Sequence, residues 1–303
     1  KKHLTHSTTR CHLNILKIAF ARYLQSPSLL QPINSVSRSV SLPMYDLTEV
    51  HASTMQLVDA LAASLCAIGL DAHADIPVAS GHADLLRYWS SDGMLLSQSC
   101  GLPFIEDLHD VVDIVGTPLW TDISDDRGRY RTVIVVRESL GITSIDEAQG
   151  LRPVINHSRS LSGWCSLGVA LANGTGGVLG AHPYVESGGH AASLQMLQNG
   201  EADIASIDAA TFRLLSSHRP ALTSNLRVIG QGPLVPATPF IVSKSCGATA
   251  DEVFQVVDEV FRRPALRGAM DHIGISGFVR LTNSDYDMLD DLVKTAEVVL
   301  PRR

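Results

Sequence analysis

Strands alternate with helices along most of this chain, which predicts an α/β fold with mainly parallel sheets. Two observations carry that reading. Residues 130–137 (YRTVIVVR) are a β-branched run, alternating and then continuous, as expected of a buried strand. From Thr48, Val50, Leu57, Val58, Leu61, Leu65 and Ile68 share one helical face that Gly69 ends. There is no internal repeat and no low-complexity tract.

The other elements follow in order. Residues 37–43 (SRSVSLP) read as the first core strand, with Tyr45 at its carboxyl end. Residues 83–91 read as a short helix, and 93–96 and 111–116 as strands. Residues 151–156 are a strand, and Gly163 to Ala172 a helix followed by a loop over 173–180. His190 to Asn199 is a helix stopped by Gly200. Residues 202–207 are a buried strand, 209–216 a helix and 226–230 a strand. The proline-rich stretch 232–239 is an extended crossover into a strand from Phe240 to Ser243. The tail reads as mostly helical: Thr249 and Glu252 have capping-box spacing ahead of Phe254, Val257, Val260 and Phe261, and a last helix runs from about Ser284 to Val298.

Composition narrows the function. With 303 residues, 45% of them hydrophobic and 18% charged, the chain is globular and long enough for two modest domains. A net charge of −7 without a long basic run argues against nucleic acid as the main partner. It leaves room for an anionic ligand, because backbone amides hold anions whatever the overall charge. The five cysteines are widely spaced and form neither a disulfide framework nor a metal pattern. No apolar run is long enough for a membrane span, and no secretory signal is recognisable. Residues 1–36, with a mildly amphipathic stretch at 13–24, are read as an N-terminal extension.

The stretch from Asn156 to Asp208 carries the chemistry. Ser158, Ser160 and Ser162 precede Gly163 and a helix start, where free amides and half a positive charge favour an oxyanion. The alternative is that Ser160 or Ser162 simply caps the helix. Ser187-Gly188-Gly189-His190 opens another helix. A histidine there has a lowered pKa and is a neutral donor at neutral pH, unless it is merely an exposed helix-end residue. Asp208 sits at the carboxyl end of a buried strand, where ligands of open α/β sheets bind. It would accept from a proton-bearing oxygen or an amine on the ligand, or else cap the helix at Ala209.

These residues resemble the phosphonate/phosphite/phosphate-binding proteins of ABC importers. The likeness rests on Ser160-Leu161-Ser162-Gly163, Gly189-His190-Ala191-Ala192-Ser193-Leu194 and Gly200-Glu201-Ala202-Asp203-Ile204-Ala205-Ser206-Ile207-Asp208. It extends to Leu42–Asp46, the Leu96–Gly101 turn and the tail around Tyr286. It implies a two-lobed type 2 periplasmic-binding-protein fold with a two-strand hinge. Lobe one would be 37–130 plus 237–303 and lobe two 131–236, with hinge crossovers near 130–133 and 234–239. It also implies phosphoryl-oxygen contacts from Ser160, Ser162, the Leu161 and Gly163 amides and His190. Tyr45 would close the pocket from the other lobe, Gln98 would stand at the sheet edge, and Asp208 would take the ligand's protonated or amine end. Two departures bear on ligand identity. Only Phe104 could supply a second aromatic after Gln98, and Leu161 replaces a small polar residue.

The function so implied is capture of a small phosphorus oxyanion by a monomer, without cofactor or metal, for an ABC permease in the periplasm. Two alternatives stay open: a cytoplasmic sensor or scavenger of this fold, and an enzyme of the thiamin-pyrimidine type using Cys100 or His190. The glycine run 174–180 does not fit a dinucleotide fingerprint, since its third glycine falls one place late. Ser162 lacks a nucleophile elbow, and His182 and His190 lack metal-ligand spacing.

Overall fold

The computed structural model describes residues 37–302, apart from 78, 80 and 177–182. The N-terminal extension, most of the 174–180 glycine run and His182 therefore lie outside the described residues.

The first lobe is laid down by β1 (Arg38–Val40), α1 (His51–Ala67), β2 (Ala72–Ala74), α2 (His82–Trp89), β3 (Met94–Gln98) and β4 (Val112–Trp120). Helical crossovers join β1, β2 and β3, so β1 pairs parallel with both neighbours. Helix α1 forms because its apolar residues recur on one face: Leu57, Val58, Leu61 and Leu65 are fully buried. Gly69 stops it at φ +94°, a conformation that suits glycine. Ile68, expected on the buried face, is 50% exposed because it falls at the frayed end.

The chain leaves through β5 (Arg129–Tyr130) and builds the second lobe from β6 (Val133–Arg137), β7 (Pro153–Ile155), α3 (Ser166–Gly174), β8 (Val185–Glu186), α4 (His190–Gln198), β9 (Ile204–Ile207), α5 (Ala209–His218) and β10 (Leu226–Gln231). The sheet order is β10-β6-β9-β7-β8. Strand β6 lies between β10 and β9 with both faces covered, which is why its sequence is continuously apolar. Asp203, in the acidic run before Asp208, is a scaffold residue here. Its carboxylate accepts from Arg152 Nε at 2.8 Å and from Arg137, tying the start of β9 to β7 and β6.

The chain returns through β11 (Val235–Pro236), which pairs antiparallel with β5 as a separate two-stranded ribbon. This is the expected two-strand hinge. Strand β12 (Phe240–Ser243) then inserts between β3 and β4, antiparallel to both. After α6 (Ala250–Phe261) and α7 (Arg267–Ile273), β13 (Ile275–Val279) pairs antiparallel with β4. The first sheet is thus β13-β4-β12-β3-β1-β2. Both sheets are mixed, which corrects the expectation of mainly parallel sheets. A strand leaving for the hinge and one returning from it run in opposite directions, so each lobe gains antiparallel pairs where the chain crosses over.

In the tail, α6 starts on the expected capping box between Thr249 and Glu252. Strand β13 was not legible, because Gly277 interrupts a short segment that pairing with β4 stabilises. The last helix resolves into a turn at Asn283–Tyr286 and α8 (Leu289–Val299). Helix α8 packs on α3 of the second lobe, and Trp164 Nε1 donates to the Leu300 carbonyl at 2.8 Å. Gly168 permits this approach: a Cβ there would stand 2.8 Å from Cα and Cβ of Ala296.

Gly→Ala inside a helix ordinarily stabilises by about 0.5–1 kcal/mol. At Gly168 the overpacking reverses the sign, and Gly168→Ala is expected to destabilise the protein by about 1–3 kcal/mol. Urea denaturation measures this, and a stabilised variant would show that α3 and α8 do not meet as described.

Candidate functional site

The site starts at the carboxyl end of β7. Asn156 leaves the strand, and Ser160, in extended conformation, caps a wide helical turn at Leu161–Cys165 that leads into α3. The Ser160 hydroxyl accepts from the Gly163 amide at 3.0 Å. Ser206 of β9 donates to the Ser162 carbonyl at 2.6 Å and pins the turn from below. Ser162, 7% exposed, is left with its Oγ 2.9 Å from His190 Nε2 and 3.4 Å from Ser160 Oγ.

His190 is the first residue of α4. Burial depresses its pKa, and Asp208 only partly opposes this. It is therefore a neutral imidazole at neutral pH. Its Nδ1 is buried without a hydrogen-bond partner among the described residues.

Asp208 follows β9 and is 3% exposed. One oxygen accepts from the Thr211 amide at 2.8 Å and caps α5; the other accepts from the Tyr45 hydroxyl of the first lobe at 3.0 Å. Capping and cleft geometry are thus one arrangement. Tyr45 also lies 3.1 Å from Thr238 Oγ1, which accepts from Gln98 Nε2 at 3.0 Å. Burial raises the Tyr45 and Tyr130 pKa values well above the usual phenol range, and the Asp208 charge adds to this.

Tyr45, Ser160, Ser162, His190 and Asp208 line one cavity of about 160 Å³. That is room for about five waters, well below the pockets that take drug-sized ligands. Gln98, Leu161 and Gly163 do not line it. Gln98 acts one layer back through Thr238. Leu161 is a buried wedge between the lobes, against which a Cβ on Gly101 would stand at 3.1 Å. The Gly163 amide is taken by Ser160, and its missing Cβ leaves room for Asn156 Oδ1, which would otherwise lie at 1.8 Å. Phe104 is also away from the cavity, edge-on to Tyr286 in the core.

The first lobe supplies a wall that sequence reasoning missed: Met44, His82, Leu85 and Trp89. Its signal was present, since Gly81-His82 opens a helix as Gly189-His190 does. The His82 ring stacks on His157 of the second lobe with centroids 4.3 Å apart. Arg159, the one arginine lining the cavity, donates across the cleft to Glu106 at 3.2 Å and Asp107 at 2.8 Å. Arg219–Glu49, at 2.7 Å, is a further bridge between lobes. The cavity therefore presents hydroxyls and neutral imidazoles to an anion, with its arginine already paired. Cys100 also lines it, and burial pushes its thiol pKa up despite amides of Leu102, Leu161 and Ser162 facing it. It stays a thiol at neutral pH and a poor nucleophile.

The family model for periplasmic substrate-binding proteins of ABC phosphonate transporters matches residues 41–286. The chain belongs to that family. Its members are periplasmic components that work with an ABC permease. Among solved structures, PhnD1 from Prochlorococcus marinus in complex with methylphosphonate is similar at a TM-score of 0.69 and 14% identity, covering 88% of this chain and 100% of that one. A binding protein component of an ABC phosphonate transporter from Pseudomonas aeruginosa follows at 0.63 and 13%, covering 86% of each chain. The alkanesulfonate-binding protein SsuA from Xanthomonas axonopodis pv. citri, bound to MOPS, reaches 0.60 and 12%, covering 87% of this chain and 94% of that one. At these identities the similarity carries the fold alone. No curated protein sequence matches. Among the described residues of this family member, no helix is long and apolar enough to cross a membrane.

Burial lowers the pKa of His82, to about 4, and of His157 and His190. The unfolded chain, with histidines near about 6.5, then binds more protons than the folded one below that pH. The stability that these neutral rings contribute is fully present above about pH 6.5 and is lost as pH falls toward about 4. The melting temperature should drop across that window, and less steeply in a His82→Phe variant. A flat profile would show that these rings are not buried neutral.

Proposed function

We propose that this protein captures a small phosphorus oxyanion, a phosphonate, phosphite or phosphate, between its lobes and presents it to an ABC permease. One observation carries the proposal. The Ser162–His190 contact and the Asp208–Tyr45 contact line a single small cavity, and they come from different segments and both lobes. Ser160, Ser162 and His190 provide donors for phosphoryl oxygens. Asp208 accepts from a proton-bearing oxygen of the monoprotonated form of the phosphorus oxyanion, an O–H that an acceptor-only carboxylate can pair with. Sulfate has no such proton, and its charge would face the carboxylate unrelieved.

Binding is coupled to rigid-body closure about the β5–β11 ribbon. Closure brings Tyr45 to Asp208 and Arg159 to Glu106 and Asp107, so ligand and interlobe contacts form together. The protein binds and releases without chemistry, consistent with a protonated Cys100 and with the family's transport role. Capture takes place in the periplasm.

Titration calorimetry against methylphosphonate, phosphite, phosphate and sulfate tests this. At least one phosphorus compound should bind, with sulfate about 100-fold weaker or more, since an unpaired buried charge costs several kcal/mol. At 100 times its Kd that ligand should add about 2.7 kcal/mol to stability. Ser162→Ala should weaken binding about tenfold, and Asp208→Asn should narrow the margin over sulfate. Absence of binding by all three phosphorus compounds would sink the proposal.

A further inference from the structure

His82, Leu85 and Trp89 are spaced i, i+3 and i+7 on α2 and present one face to the cavity. Leu85 offers only carbon, and the Trp89 indole N–H is already donated to Ser97 Oγ at 3.2 Å. The face that α2 turns to the cavity is therefore apolar except at one point, His82 Nε2. That nitrogen is buried and has no hydrogen-bond partner among the described residues. A buried polar atom left unpaired is costly, so its place on the wall of a ligand cavity calls for a partner on the ligand.

The ring is also held still. It lies flat on His157, whose own Nδ1 accepts the Arg159 amide at 3.0 Å. Arg159 in turn is fixed across the cleft by Glu106 and Asp107. The oxyanion contacts Ser160, Ser162 and His190 come from the second lobe, whereas His82 comes from the first. A ligand whose phosphoryl head sits on the second lobe turns its substituent toward α2.

We propose that His82 is a specificity-determining residue whose Nε2 hydrogen-bonds a hydroxyl on the carbon substituent of the bound phosphonate, so that hydroxyalkylphosphonates are preferred over simple alkylphosphonates. This rests on the phosphorus-oxyanion reading of the site. A hydroxyl both donates and accepts, so it serves either tautomer of a neutral imidazole. An ammonium can only donate, and it would be brought toward the Arg159 guanidinium. A carboxylate can only accept, and it would add a second negative charge to a cavity that already holds Asp208. Burial together with the neighbouring His157 and Arg159 keeps His82 uncharged at neutral pH.

The test is calorimetry at neutral pH with two ligand pairs matched in non-hydrogen atoms: hydroxymethyl- against ethylphosphonate, and hydroxyethyl- against propylphosphonate. In the native protein at least one hydroxyl compound should bind about tenfold tighter than its partner. In His82→Phe, which keeps an aromatic ring for the stack but lacks the nitrogen, that ratio should fall to about one. His82→Gln, which keeps a polar atom near Nε2, should retain part of it, and it carries the comparison if His82→Phe binds neither compound. Equal affinities within both pairs in the native protein, or a preference that survives His82→Phe, would overturn the assignment while leaving oxyanion binding intact. If no phosphorus compound binds the native protein, the functional reading falls, and this assignment with it.

Discussion

The cleft is organised by a carboxylate that neither lobe satisfies alone. Asp208 is almost fully buried, and burying a charged group is costly unless its oxygens are hydrogen-bonded. Its own lobe supplies the Thr211 amide at the start of α5, the Tyr45 hydroxyl comes from the other lobe, and the Tyr130 hydroxyl of β5 is a further partner. Behind Tyr45 stand Thr238 and then Gln98, each passing a hydrogen bond forward. The stability of the joined lobes and the chemistry of the cavity thus share one group. A helix cap in one lobe is also the latch for the other.

The same constraint explains why the site uses neutral donors. A free arginine beside Asp208 would pair with it and compete with the ligand. The arginine that does line the cavity is instead bound by Glu106 and Asp107, where it clamps the lobes. The histidines are held neutral by burial. What remains facing the cavity is a set of oriented hydroxyls and imidazoles, uncharged groups whose hydrogen bonds are directional.

Much of the second lobe was legible because its signals are local. A serine turn before Gly163, a histidine opening α4 and an aspartate ending β9 are each read within a few residues, and Tyr45, Ser160, Ser162, His190 and Asp208 do meet at one cavity. Gln98, Leu161 and Gly163, which the resemblance implied at the site, lie outside the cavity lining. Gly163 is a glycine because Asn156 packs against its Cα, a contact fixed by how the turn folds back on β7. Leu161 is apolar because it meets the other lobe. The His82 wall escaped notice because a helix face shows in the sequence while the partner it faces does not.

By itself the sequence determined the alternation of strands and helices, the capping box of α6, the glycine stops and the helix starts after Ser160 and Gly189. All of these depend on interactions spanning a few residues, where periodicity and backbone preference act directly. Only the tertiary structure decided the antiparallel strands at the crossovers, the packing of α8 on α3 and the wall that α2 brings to the cleft. Each joins segments far apart in the chain, and their pairing follows from the hinge and from shape complementarity, which no local pattern encodes.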